Sequence, residues 1–221
     1  MLTLPTTKLL PVLPVGPFAD DAAFTYTAST EKKDVEKDLK GYTFESAIAI
    51  NGDSAKYGKV SSAADVAAKT DNGTVVEVYT GENKDGDDIV TAVVVIAPKA
   101  GTVTVKEVKE TKSHGAYTQY TVGGVSGKIY STIVDEDTDK NTATLSGDIA
   151  NKDFVTYYQD VKGNLYITAT TELTGVLTAV ANDGTLTIDG QKYNMSSAAT
   201  EKPAPSKNEQ TFAVDSYGYI I

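Results

Sequence analysis

A single histidine, two knots of acidic side chains, a glycine cluster and a recurring tyrosine are the groups from which this chain could build chemistry. His114 is the only histidine among 221 residues, and cysteine is absent. A serine-type triad would need His114 as its base, held between a nucleophile and a carboxylate. It sits in Lys112-Ser113-His114-Gly115-Ala116-Tyr117, a turn sequence, where an exposed loop histidine is the plainer reading. One histidine also excludes a three-histidine zinc site and the HExxH motif, and the missing cysteines exclude thiolate nucleophiles and zinc–thiolate centres.

The acidic groups suggest cations. Asn83, Asp85, Asp87 and Asp88 share the stretch Glu82–Asp88, whose oxygen-rich spacing resembles a D-x-[DN]-x-[DN]-G calcium loop. Gly81 stands at the first ligand position and the closing bidentate glutamate is missing, so a hairpin turn competes with the Ca²⁺ reading. Asp135, Glu136, Asp137 and Asp139 form a denser acidic loop, read first as solvated and second as a weak cation site. Carboxylates are plentiful, but nothing singles out the flanking pair that glycoside hydrolysis requires. Gly123, Gly124 and Gly127 are not a phosphate loop, because no Gly-Lys-Ser/Thr follows and no helix begins there. The tyrosines recur at strand positions, where cross-strand packing is the bland reading and a sugar-binding aromatic platform the sharp one. These residues assign no catalytic, cofactor-binding or metal position, and Ca²⁺ is the only ion they suggest.

Composition narrows the function classes. All 20 basic residues are lysine and the net charge is −10. With no arginine fork and an acidic balance, the sequence speaks against nucleic-acid partners and against attraction to an anionic membrane. No stretch approaches the ~20 apolar residues of a membrane helix. A 40% hydrophobic content at this length supports a buried core. Abundant lysine, threonine and tyrosine without cysteine or arginine fit a bacterial exoprotein. Pro11 and Pro14 interrupt the apolar patch near the N-terminus, so residues 1–23 read as a proline-rich lead-in, not a signal peptide.

The elements that must position these groups are strands. Residues 74–79 and 89–96 predict a hairpin closed by the Asp-Gly turn, with Thr91–Ile96 apolar enough to be buried on both faces. Further strands are expected from Gly101 through Val105 into the following Lys-Glu segment, and over 117–122, 128–134, 154–158, 165–171, 176–180 (opened by Gly175), 185–188 and 192–195. Ser61-Ser62 can cap a short helix, with Asp65 in its first turn and Lys69 in its last. Residues 29–40 are charged throughout and read equally as a short exposed helix or a polar loop. Residues 196–210 read as a linker.

One sentence is written nearly three times. Tyr79 aligns with Tyr158, Gly86 with Gly163, Ile89 with Tyr166, and Gly101 with Gly175. Near the end, Phe212 matches Tyr157, Asp215 matches Asp160, and Gly218 matches Gly163. A second phrase, Leu39-Lys-Gly-Tyr-Thr-Phe-Glu-Ser-Ala47, resembles Ile188-Asp-Gly-Gln-Lys-Tyr-Asn-Met-Ser-Ser-Ala198. The spacing between copies is unequal, which speaks against a strict solenoid.

This pattern, V-x-V/Y-Y-x-D-x-x-G-N/Y-L/I followed by glycine-led strands and Thr187-Ile-Asp-Gly-Gln-Lys-Tyr193, resembles the repetitive β-rich regions of Gram-positive surface proteins that carry S-layer homology domains. The anchoring motif of those proteins needs tryptophan, which this chain lacks. The expected fold is all-β: tandem small antiparallel barrel- or sandwich-like modules with short helical connectors. The expected divisions are a lead-in at 1–23, a partial module at 24–70 with a helix near 62–69, modules at 71–150 and 151–198, and a linker with the first strands of a further module at 199–221. The chain so divided reads as a piece of a longer array. The resemblance implies a non-enzymatic, extracellular structural or interaction role. Its partners would be neighbouring modules, other copies or cell-wall glycan, with no membrane insertion. A carbohydrate- or ligand-binding module attached to a wall-active enzyme is the alternative.

Overall fold

The computed structural model describes residues 22–44, 48–51, 56–134, 141–160 and 162–221. Three units follow one another, each built on the same plan. The first holds β1 (Phe24–Thr27), α1 (Lys32–Asp38), β2 (Ile48–Asn51), β3 (Lys56–Lys59), α2 (Ala63–Ala67), β4 (Val75–Glu82) and β5 (Asp88–Ile96). The second holds β6 (Lys99–Thr102), β7 (Thr104–Val108), β8 (Tyr117–Val122), β9 (Val125–Tyr130), β10 (Ala143–Ser146), β11 (Phe154–Gln159) and β12 (Leu165–Ala169). The third holds β13 (Thr171–Gly175), β14 (Leu177–Val180), β15 (Leu186–Ile188), β16 (Gln191–Tyr193) and β17 (Gln210–Val214). The fold is all-β with small, mainly antiparallel sheets and two short helices among the described residues, as expected.

In every unit an edge strand comes first, an insertion follows, and a hairpin closes the unit. The edge strand pairs antiparallel with the first strand of that hairpin: β1 with β4, β6 with β11, β13 with β17. The second hairpin strand takes a parallel partner from the insertion, β2 on β5 and β10 on β12, and the third unit repeats this as a bridge between Met195 and Ile220. The insertions differ. The first carries both helices and β3, whereas the others carry three-stranded sheets, β7-β8-β9 and β14-β15-β16.

Strands from 24–59 complete the sheet of β4 and β5, β6 belongs with β11, and β17 belongs with β13, so the sheets part near 97/98 and 170/171. Turn residues mark where a strand ends, but an edge strand finds its partner through backbone hydrogen bonds that carry no sequence label. For the same reason the single strand expected from Gly101 onward breaks at Val103. That residue is buried, its N–H donates to the Asp153 carbonyl at 2.9 Å, and its own carbonyl accepts from Lys152 at 2.9 Å. β6 and β7 on either side of it therefore lie in different sheets.

Each unit has its own apolar cluster: Val76, Val78, Val93 and Val95 with Val35 and Val66 in the first, Val155, Tyr157, Leu165 and Ile167 in the second, Leu177, Leu186, Ile188 and Phe212 in the third. Fully burying each such side chain stabilises by roughly 1.5–3 kcal/mol. The charged segment at 32–38 is a helix because Val35 is completely buried and Leu39 packs beside it. The α2 helix begins as expected. Ser62 accepts the Asp65 N–H at 3.2 Å, and the Asp65 carboxylate accepts both the N–H and the hydroxyl of Ser61. These hydrogen bonds hold the Asp65 carboxyl below its ordinary value.

Candidate functional site: the junction of the three units

The repeated sentence turns out to write a repeated turn. In the second unit, Asp160 Oδ1 accepts the N–H groups of Lys162 and Asn164, both at 2.8 Å, while the Gly163 N–H donates to the Asp160 carbonyl. In the third unit, Asp215 Oδ1 accepts from Tyr217 and Tyr219, both at 2.9 Å, and Gly218 donates to the Asp215 carbonyl. In the first, Asn83 Oδ1 accepts from Asp85 and Asp87 and Gly86 donates to the Asn83 carbonyl. The glycines have φ of +83°, +88° and +88°, the left-handed position that ends a type I turn with a bulge. Gly86, Gly163 and Gly218 are therefore equivalent, as are Ile89 and Tyr166, which both lie three residues beyond the glycine. Tyr79 is displaced: the register partner of Ile89 is Gly81, so Gly81 and not Tyr79 matches Tyr158. Gly101 and Gly175 do correspond, facing Val155 and Gln210 at the same distance before the turn. The second phrase also has a structural meaning, because the Thr43 carbonyl accepts the Val90 N–H and the Asn194 carbonyl accepts the Ile220 N–H.

The β4–β5 hairpin is apolar on both faces. One face packs on the helices and the other, with Val75, Tyr79, Val94 and Ile96, is met by Tyr158 of the second unit and Tyr217 of the third. Glu77 lies on this second face and is only 4% exposed. Its Oε2 accepts the Tyr79 hydroxyl at 2.9 Å. Burial raises the Glu77 pKa, and the Tyr79 hydrogen bond opposes that rise. Tyr158 and Tyr166 face each other across β11 and β12 and stack with centroids 4.7 Å apart and planes at 7°. Burial pushes both phenols upward, with the nearby Glu77 and Asp160 carboxylates adding to it. The Tyr217 phenol is pushed up to about 12, by burial first and then by Asp215 and Glu77. All three therefore stay neutral hydroxyl donors at physiological pH.

The first and third units also touch directly. The Ser197 N–H donates to the Asn72 carbonyl at 2.8 Å, Asn72 Nδ2 donates to the Met195 carbonyl at 3.0 Å, and the Thr74 and Ser197 hydroxyls meet at 3.1 Å. Gly73 is fixed by this approach. A Cβ there would lie 2.6 Å from Ser196 Oγ and 2.8 Å from Asp215 Oδ2, at a φ of +80°. Where the three units meet they leave a cleft of about 260 Å³. Its walls include Val75, Ile96, Leu145 and Ile167, the rings of Tyr158, Tyr166 and Tyr217, and hydroxyls from Ser146, Thr156, Thr168, Ser196 and Ser216, with Asp215 as the one ionisable carboxylate.

The other groups singled out in the sequence lie elsewhere. His114 sits in the loop between β7 and β8; its Nδ1 donates to the Gly115 carbonyl at 2.8 Å and its ring packs on Tyr117. Asn83, Asp85 and Asp87 are occupied by the turn just described, with Asn83 Nδ2 donating to Asp87, and Asp88 opens β5. Among the described residues no three acidic or histidine side chains converge to hold a metal ion. Asp135, Glu136, Asp137 and Asp139 lie outside the described residues. Gly123 and Gly124 form the two-residue turn of the β8–β9 hairpin, both with positive φ, and Gly127 lets the Thr142 backbone pass close by. The sequence reading missed the junction. Its one signal was Glu77, a carboxylate set inside Val75-Val76-Glu77-Val78-Tyr79, a run otherwise written for burial on both sides.

Compared with protein families, with curated proteins and with solved structures, the chain matches none.

Proposed function

We propose that the chain is a non-catalytic structural or interaction module of a bacterial cell surface, of the S-layer-like kind. The supporting observation is the threefold use of one plan, an edge strand, an insertion and an Asx-turned hairpin, with units fixed to each other through a shared apolar junction. Such a unit can be copied without new design, because its turn and its edge pairing are self-contained. The junction then fixes the angle between copies, which is what a load-bearing or lattice-forming surface element needs. The acidic surface keeps such copies apart until contact geometry or cations offset the repulsion. The partners on this reading are further modules and other copies of the same chain.

Antibody labelling of intact cells of the source bacterium, paired with negative-stain microscopy of the concentrated protein, tests the proposal. Surface labelling together with ordered sheets or fibres is the expected result. Labelling only after the cells are permeabilised, or turnover of a wall polymer by the purified chain, would overturn it.

A further inference from the structure

We infer that the cleft at the junction of the three units is a binding site for an uncharged saccharide of one or two rings. This goes beyond a structural role and stands independently of where the protein is located.

The shape comes first. A cleft of about 260 Å³ is smaller than a drug-sized pocket and suits a compact ligand. Its apolar floor, Val75, Ile96, Leu145 and Ile167, and its tyrosine walls offer surface for the C–H face of a sugar ring. Its polar side chains are nearly all hydroxyl-bearing, and burial holds the Tyr158 phenol protonated, so it can donate, while the Tyr166 hydroxyl already donates to Asp160 Oδ2 at 3.4 Å. A ligand rich in both donors and acceptors satisfies such walls, whereas a plain hydrocarbon leaves them unpaired. No lysine lines the cleft, so an anion would find no counter-charge there.

Asp215 narrows the choice further. It is 7% exposed. Its Oδ1 is occupied by the Tyr217 and Tyr219 N–H groups. Its Oδ2 makes no hydrogen bond among the described residues and lies over Gly73, which also lines the cleft. An unshared carboxylate oxygen that opens on the cleft is a charged acceptor for a ligand hydroxyl. A sugar hydroxyl can take it while the ring lies against tyrosine.

The first unit provides the test variant. Asn83 makes the same turn with an amide oxygen in place of a carboxylate. Asp215→Asn therefore keeps the turn and replaces only the free acceptor with an N–H₂ group. Saturation-transfer NMR would be run on the full chain with glucose, N-acetylglucosamine, cellobiose and chitobiose, and in parallel with tetramethylammonium. At least one sugar is expected to bind, and Asp215→Asn to weaken it about tenfold, the loss of one charge-assisted hydrogen bond, with the melting curve unchanged. The inference is overturned if no sugar binds up to about 10 mM. It is overturned equally if Asp215→Asn binds as tightly as the wild type, or if tetramethylammonium alone binds, which would make the cleft a site for organic cations.

Discussion

The turn at Asn83 and the turn at Asp160 have the same hydrogen bonds and the same left-handed glycine, yet they do different work. Around Asn83 the turn is exposed: Lys84, Asp85, Gly86 and Asp87 all face solvent. Asp160 is buried, and the strand leaving its turn carries Leu165 and Ile167 into a core and Tyr166 into the junction. At the position after the turn the first unit has exposed Asp88, paired with Glu82, where the second has wholly buried Leu165, paired with Gln159, and the third has buried Ile220. Local backbone geometry was conserved across the units while its surroundings were not.

Substitution at that position separates the two roles most sharply. Leu165→Ala should destabilise by about 2–5 kcal/mol through the cavity it leaves, whereas Asp88→Ala should stay within about 0.5 kcal/mol, both read by chemical denaturation. Equal losses would mean that the second unit does not rest on its Leu165 core. The glycines come next. Gly86 and Gly73 have φ of +83° and +80°, but a Cβ on Gly86 enters open space and one on Gly73 meets Ser196 and Asp215. Gly86→Ala should cost about 1–2 kcal/mol, the left-handed penalty alone. Gly73→Ala should cost more, and should raise amide exchange at Ser197, whose N–H crosses to the first unit.

A smaller contrast lies in the turn-forming side chains. Asp160→Ala leaves two backbone N–H groups and Asn164 Nδ2 without their acceptor in a half-buried place, and should cost about 1–3 kcal/mol. Asn83→Ala exposes its equivalents to water and should cost about 1 kcal/mol or less. The smallest effect is expected at Glu77, and it depends on pH. Its folded pKa is raised above the ordinary 4.5, so the protonated carboxyl contributes stability below that value, and the contribution is lost as pH rises through the folded pKa. Glu77→Gln removes this loss. Melting temperatures of the two proteins should agree near the acid end and diverge upward in pH, with the glutamine variant the more stable at pH 8. A wild type more stable at pH 8 would show that Glu77 is kept charged by a partner.

Much of this was legible before any coordinates. The hairpins at 75–96 and 154–169 follow from β-branched runs around Asp-Gly or Lys-Gly turns, the cap at Ser62 from its spacing to Asp65, and the double-sided burial of 93–96, though not of exposed Thr91, from the run's lack of alternation. β10 was not visible, because Ala143–Ser146 is short and follows an acidic loop. The helix at 32–38 was only half visible, since one buried valine in seven residues gives little periodicity. The junction was hidden for a different reason. Its parts, Gly73, Glu77, Tyr166, Ser196 and Tyr217, are far apart in the chain, and each has an ordinary local explanation.

By itself the sequence determined that the chain is β, where it turns, and that one unit is written three times. These properties rest on turn chemistry and side-chain alternation, which act over a few residues. Only the tertiary structure decided that each edge strand belongs with the hairpin that follows it, and that three faces meet around one cleft. Strand pairing and face-to-face packing join groups across long stretches of chain, and backbone hydrogen bonds bind any suitable edge alike.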